Sequence, residues 1–517
     1  MTDAADLVLL DGEIHTLCDP DETHEAMAVR DGRIVRLGTT YDVAFLVGAE
    51  TETLDLGGDV VLPGFVDAHT HLDMVGRSLV HADLSGASGP EECVERLRGR
   101  LDELESESGG ETEDDWVLGF GYDESGWTES RYLTREDLDR VATDRPVATF
   151  REDMHVVSLN AVALDRYLAE MPEDDVHFDG DDPTGVVVEE AVDAIYEAVE
   201  PGVGETRELL RAAQAAANER GVTGVHDMTR NSHKPRVYRD LDRADELTLR
   251  VRLNYWADHL DGVIDAGLRT NHGSEMVRTG AIKTFTDGSF GGRTAKLSDP
   301  YSDDEGETGT WVVDPDELAE IVSRADAYGL QLSAHAIGDE AVAAVLDAYE
   351  DCEDPESSRH RIEHAELADD EIIERFAESG VVASVQPNFL KWAEADGLYA
   401  SRLGDRRTET NRYAAFAEAG VPLAFGSDCM PLSPLLGVHW AVNAPAEEQR
   451  LSVTDALRAY TSGAAYAGFD EDRLGTLEVG KAADLTVLAE SPWETDSIRD
   501  IDVSATVVAG EVVYDGA

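Results

Sequence analysis

The stretch LPGFVDAHTHL, residues 62–72, leads small and apolar residues into an aspartate and then two histidines one residue apart. In an extended chain residues i and i+2 share a face, so His69 and His71 aim at one point, as a metal requires of two imidazoles. With 15 histidines in 517 residues, one such pair is expected about 0.4 times by chance, so the pair needs company. Downstream, Lys283 in AIKTF, His335 in SAHAIGD, His364 in RIEHAEL and Asp428 in AFGSD each lie in or end an apolar run. Zinc accepts imidazole nitrogen and carboxylate oxygen, and a position left open admits water. The ion lowers that water's pKa to about 7, which yields hydroxide at neutral pH. Asp428 either ligates the metal or takes the water's proton and later hands it to a leaving amine. His335 and His364 either hold a second metal or polarise the scissile carbonyl.

Lys283 bears on whether there is one metal or two. An ammonium beside a divalent cation is repelled, and burial with a neighbouring cation depresses a lysine pKa. A neutral amine can take up CO₂ as a carbamate, which the permanently protonated arginine cannot. The lysines are Lys234, Lys283, Lys296, Lys391 and Lys481, so one kept inside an apolar run points to a task arginine cannot do. The alternative is a neutral or salt-bridged side chain. Other candidates have bland competitors. His226 and Asp227 read equally as a hydrogen-bonded pair, and His155 and Asn160 are polar residues of a long insertion. Arg293 suits a bidentate grip on a substrate carboxylate or an ordinary salt bridge. Phe290 sits in a glycine-rich loop that either admits substrate or merely turns. Trp127, Phe389, Trp392 and Trp440 either line an apolar pocket or pack as core. Cys429 follows Asp428, and strand alternation lets only one of them face inward; Asp428 is preferred.

Something must gather residues so far apart. After VLPGFVDAHTH, seven further apolar runs end in polar residues: 222–228, 248–258, 277–288, 330–339, 358–367, 381–388 and 421–428. Helical stretches precede several of them and stop at glycine, as in DEIIERFAESG, a normal C-terminal signal. The pattern predicts a (β/α)₈ barrel, an α/β fold whose chemistry sits at the C-terminal strand ends. The first sixty residues read as hairpins with DG and GG turns, and the C-terminal ADLTVLAE and ATVVAGEVVYDG repeat that style. Residues 1–60 with 474–517 therefore form a small β-sandwich built from both chain ends, and 61–75 with 205–473 form the barrel. Residues 76–204, which include the acidic run ESESGGETEDD, form an inserted lid or substrate domain, since a loop that long without its own structure is implausible.

Acidic residues number 109 against 42 basic ones, for a net charge of −67. Carboxylates are spread through periodic segments, so this is a folded acidic surface that repels itself in dilute buffer. Salt at molar strength shortens the Debye length to about 3 Å, which fits a salt-rich cytoplasm of the halophilic archaeal type. No basic face is available to nucleic acid. Cys18, Cys93, Cys352 and Cys429 are scattered, which fits a reducing compartment. The N-terminus lacks the charge and apolar core of a signal peptide, and no run approaches a membrane span. A cytoplasmic protein acting on a small molecule is expected.

PGFVDAHTH, the later single histidines, GSD and the closing GTLEVGKAADLTVL resemble the metal-dependent amidohydrolase superfamily. WVLGFGYDESGW, LDRVATDRPVATFREDMHVVSLN, GVTGVHDM and IKTFTDGSFGGRTA are similar to its amidohydrolase-3, or YtcJ-like, branch. The resemblance covers nearly the whole chain. It implies a barrel plus β-sandwich and hydrolysis of a C–N bond, amide or N-acyl, by a metal-activated hydroxide. The implied ligands are His69, His71, Lys283, His335, His364 and Asp428, with catalysis by Asp428, His364 and His335. One or two Zn²⁺ or other divalent ions are implied, with a carbamylated Lys283 bridging two. The insertion is implied as a lid facing the mouth through His155 and Asn160, and a homodimer or larger homo-oligomer is implied. A single-metal deaminase and a non-catalytic scaffold of the same fold are the alternatives.

Overall fold

In the computed structural model, which describes residues 4–108, 116–152, 156–230 and 232–516, the eight apolar runs form one parallel sheet. Its strands are β1 (Phe65–Thr70), β2 (Val222–Thr229), β3 (Arg250–Trp256), β4 (Val277–Phe285), β5 (Leu332–Ala336), β6 (Arg361–His364), β7 (Val382–Val385) and β8 (Leu423–Phe425). They lie side by side in chain order. Nearly every strand residue is buried, as expected of a parallel sheet covered by helices on its outer face. Helix boundaries follow local chemistry. Pro315–Ala327 opens with Asp314 capping the Asp316 N–H and proline in the first turn, and Asp370–Ser379 ends at Gly380 with φ 68°, a left-handed stop that favours glycine.

The cylinder closes between its first and last strands. The Asp428 N–H donates to the His69 carbonyl of β1 at 2.8 Å, while the Gly426 N–H continues the pairing with β7 at Val385, 3.0 Å away. A Cβ on Gly426 would lie 2.4 Å from the His69 nitrogen, so this approach requires glycine. The result is a (β/α)₈ barrel.

Two further sheets, built from both ends of the chain, face each other as a β-sandwich. One has the order Arg33–Gly38, Ala26–Arg30, Leu7–Leu10, Glu52–Asp55; the other contains Glu13–His15, Val60–Pro63, Leu485–Leu488, Val503–Val508 and Glu511–Asp515. Leu7, Leu9, Met27 and Ile34 from one sheet share a buried core with Val61, Leu485, Val487 and Val507 from the other. Arg250, at the start of β3, grips Asp484 of the sandwich through Nε and Nη2 at 2.5 and 2.9 Å.

Barrel and sandwich belong to one compact unit; residues Asp73–Ala213 with Ser232–Val237 form a second. The second unit has its own six-stranded sheet, ordered Val176–Asp179, Asp182–Val188, Val156–Leu159, Val147–Arg151, Val117–Tyr122, Ala82–Asp83. Apolar clusters around Phe150 and Leu159, and around Leu97 and Leu138, give it two cores of its own. Residues 109–115 of the acidic run lie outside the described residues. Among the described residues no helix is long and apolar enough to cross a membrane.

The Arg250–Asp484 pair supports a direct stability test. Arg250→Met leaves a buried carboxylate without its cation, which is expected to cost about 3–5 kcal/mol. Urea denaturation in concentrated KCl measures it, and an unchanged midpoint would show that the fork adds nothing.

Candidate metal centre

The donors expected from the sequence meet at the C-terminal rim of the barrel. One ligand atom each from His69, His364 and Asp428 lies within 4.8 Å of the others. Asp428 Oδ1 is 3.6 Å from His69 Nε2 and 3.4 Å from His71 Nε2, so the two histidines of the HxH pair do converge. His69 and His364 are buried, whereas His71 and Asp428 keep a partly open face. The backbone bends to bring them there: φ is 72° at His364, 52° at Asp428 and 63° at Cys429. Such left-handed non-glycine residues cost of order 1–3 kcal/mol each and cluster at functional sites.

The ring of His69 is fixed from below. Its Nδ1 lies 2.7 Å from Glu363 Oε2. Burial opposes a charge on Glu363, yet Arg361 and His69 hold its carboxyl well below the usual range. The ionised oxygen accepts, so His69 carries its proton on Nδ1 and presents the Nε2 electron pair to the rim. Glu363 Oε1 in turn accepts from Ser333 Oγ at 2.6 Å and Arg361 Nε at 2.9 Å. Arg361, itself fully buried, also reaches the Ala68 carbonyl, Ser384 Oγ and His226 Nδ1. Sequence reasoning missed Glu363. The signal was present, because an R-x-E pair inside a buried barrel strand places both charges on the inner face. Asp67, two residues before His69, was also missed. It accepts the His69 and Ser427 N–H groups, and burial raises it to about 6.

His335 stands beside this three-donor group, and Lys283 neighbours His364 and Asp428. His335 packs 4.5 Å from the His364 ring, centroid to centroid, but its Nε2 faces the Gly288 carbonyl at 2.9 Å. A carbonyl only accepts, so that nitrogen bears a proton. Burial holds both His335 and His364 well below the usual imidazole range, hence neutral. Lys283 is buried with its Nζ 4.9 Å from the Phe285 ring centroid, and burial lowers it to about 8. Lys283 Nζ and His364 Nδ1 have no hydrogen-bond partner among the described residues. Two imidazoles, a third close by, one carboxylate and an orphaned amine suit a borderline divalent ion such as zinc.

One expectation needs correction, and several alternatives left open by the sequence are decided by contacts. Asp428 and Cys429 do not lie on a strand, since β8 ends at Phe425, so alternation does not choose between them. The Cys429 thiol instead ties the HxH segment down, accepting from the His71 N–H and donating to its carbonyl at 3.1 and 3.2 Å. Asn160, offered as a substrate contact, is already engaged. It caps the helix Ala161–Tyr167, accepts two backbone N–H groups and donates to the Ala142 and Arg145 carbonyls, which exhausts it. Arg293 is a bidentate partner of Asp303 at 3.1 and 2.7 Å. Phe290 is buried edge-on against Tyr399. Trp127 is core, donating to the Ala87 carbonyl. His226 braces Arg361, and Asp227 accepts from Leu72 N–H and Tyr238; both read as support. His155 lies outside the described residues.

A second donor group, Asp326, Cys352 and His360, does not suit a metal. His360 Nδ1 accepts the Leu332 N–H at 3.1 Å, so Nε2 must carry the ring's proton and has no electron pair to give. Burial also raises the Cys352 thiol to about 12.

Comparison with known proteins gives this geometry its context. The amidohydrolase family model matches residues 52–514. The chain is similar to Bacillus subtilis YtcJ, 32% identical over 98% of each chain. It is also similar to the N-substituted formamide deformylase of Arthrobacter pascens, 27% identical over 100% of this chain and 99% of that one. Its fold matches the crystal structure of an uncharacterized metal-dependent hydrolase from Pyrococcus furiosus, with a TM-score of 0.80 and 32% identity, covering 94% of this chain and 100% of that one. Kinship over nearly the full length, on a barrel whose rim collects these donors, leaves one conclusion: the chain belongs to the amidohydrolase family and is a hydrolase.

Proposed function

We propose that this chain hydrolyses the C–N bond of a small amide or N-acyl compound at a divalent-metal centre held by His69, His71, His364 and Asp428, with His335 and Lys283 completing its wall. The observation that carries this reading is the convergence of His69, His364 and Asp428 within 4.8 Å at the barrel rim. The action of the Arthrobacter relative on N-substituted formamides supports the bond type. A bound ion, zinc being the one this donor set suits, supplies Lewis acidity that acidifies water and polarises a carbonyl.

The chain's own groups do the rest. Asp428, at the open side of the group, takes a proton from the attacking water and returns it to the departing nitrogen. His335, with its Nε2 proton resting on the Gly288 carbonyl, is a donor placed to turn toward a developing oxyanion. Glu363 keeps His69 in the tautomer that faces the rim. Lys283, buried and without a hydrogen-bond partner among the described residues, is the residue a carbamate would use to bridge two ions. The three-donor group of His69, His364 and Asp428, enough to hold one ion, favours a second reading, a one-metal deaminase in which the amine stays unmodified. The acidic surface fits operation in a salt-rich cytoplasm.

Four measurements in concentrated KCl bear on this. Purified protein is expected to hold stoichiometric divalent metal by elemental analysis, to lose amide hydrolysis on chelation and to regain it with Zn²⁺ or Mn²⁺; protein without metal favours a scaffold. Asp428→Asn is expected to lower kcat by about 100- to 10,000-fold, and near-native turnover would remove it from proton transfer. Lys283→Ala is expected to lose one of two ions together with activity, whereas survival of both selects the unbridged centre. Glu363→Gln removes the acceptor at His69 Nδ1 and is expected to weaken metal binding by about 10- to 100-fold. Chelator competition reads that last change on folded protein, and native affinity would reduce Glu363 to a packing role.

A further inference from the structure

Two pairs of aromatic side chains stand at the rim on opposite sides of the barrel. Trp256 ends β3 and Phe285 ends β4, with ring centroids 5.4 Å apart. Phe389 and Trp392, 4.7 Å apart, occupy the turn that follows β7. In an eight-stranded cylinder the third and seventh strands face each other. Both pairs lean on the imidazoles of the proposed centre. Phe285 stacks on His335 at 4.3 Å and Trp256 lies 6.4 Å from His71, while Phe389 is parallel to His364 at 6.0 Å. Phe389 is buried, but Trp256, Phe285 and Trp392 each keep part of their surface open. Partly open aromatics grouped around catalytic donors are unusual for core packing and usual for a ligand wall.

Two arginines nearby are already committed, whereas Lys283, 4.9 Å from the Phe285 ring, belongs to the proposed centre and has no hydrogen-bond partner among the described residues. Arg230, 5.5 Å over the Trp256 ring, pairs with Asp258 at 3.1 Å, and Arg293 forks onto Asp303. A substrate carboxylate seeking either arginine would have to displace its partner, against a chain of net charge −67.

We infer that the rim of this barrel is a slot for an uncharged amide bearing a flat apolar group, an aromatic ring or its equivalent, which stacks between the Trp256–Phe285 and Phe389–Trp392 walls while its C–N bond reaches the donors. The inference rests on the amide-hydrolase reading for the bond but on the aromatic walls alone for the group beside it.

The test uses metal-loaded full-length protein in concentrated KCl and three probes: N-benzylacetamide, N-butylacetamide and the para-carboxylate of N-benzylacetamide. Calorimetry is expected to show the benzyl compound binding about tenfold tighter than the butyl one, with the carboxylate weaker than both. Trp256→Ala is expected to erase most of that preference and Trp256→Phe to keep it; should the alanine variant misfold, Phe285→Leu carries the same comparison. Equal binding of benzyl and butyl probes, or a preference untouched by either variant, overturns the slot. Amine release is followed in parallel. Aromatic preference without hydrolysis sinks the amide reading and leaves the slot standing. Hydrolysis of all three probes at equal kcat/KM without any binding preference does the reverse.

Discussion

A histidine ring has one electron pair to give when neutral, and the group on its other nitrogen decides where that pair points. In this protein the decision is made by the Glu363 carboxylate at the Nδ1 of His69. A carboxylate sealed inside a barrel is costly unless paired and hydrogen-bonded. Arg361, Ser333 and the imidazole meet that requirement from three sides. The polar interior between β1, β5 and β6 therefore serves the rim above it. Remove the pairing and the tautomer of His69 loses its cause.

The barrel was legible in the sequence because all eight strands are buried on both faces, which writes them as continuous apolar runs between glycine-stopped helices. The HxH pair and the single His and Asp at later strand ends were legible for a related reason: a polar residue at the end of such a run has nowhere to face but the rim. What the sequence hid was prior engagement. Asn160, Arg293 and Phe290 have the residue types of ligand contacts, but their neighbours already occupy them as a helix cap, an ion pair and an edge-on ring pair. Glu363 was missed in the opposite way, since a charge inside an apolar strand reads as an interruption unless it is paired with Arg361, two residues before it on the same face. Cys429 was placed by strand alternation in a segment whose backbone is left-handed.

The preference for arginine over lysine has a physical expression in the structure. Arg140 meets Glu91, Arg359 meets Glu471 and Arg412 meets both Asp370 and Glu448 through planar forks. A fork holds by direction as well as by charge, so it keeps part of its value where salt screens simple Coulomb attraction. The few lysines are then conspicuous, and the one inside β4 most of all.

Barrel closure carries a consequence for biosynthesis. The thiol of Cys429 grips the backbone of His71 across 358 positions of chain, and the sandwich likewise needs strands from both termini. A nascent polypeptide leaving the ribosome exposes the HxH segment long before its clasp, which waits for Cys429, 358 positions later. Contacts that distant are slow to find, so a prematurely terminated product would expose imidazoles and unpaired strand edges together, a species for proteases rather than for metal.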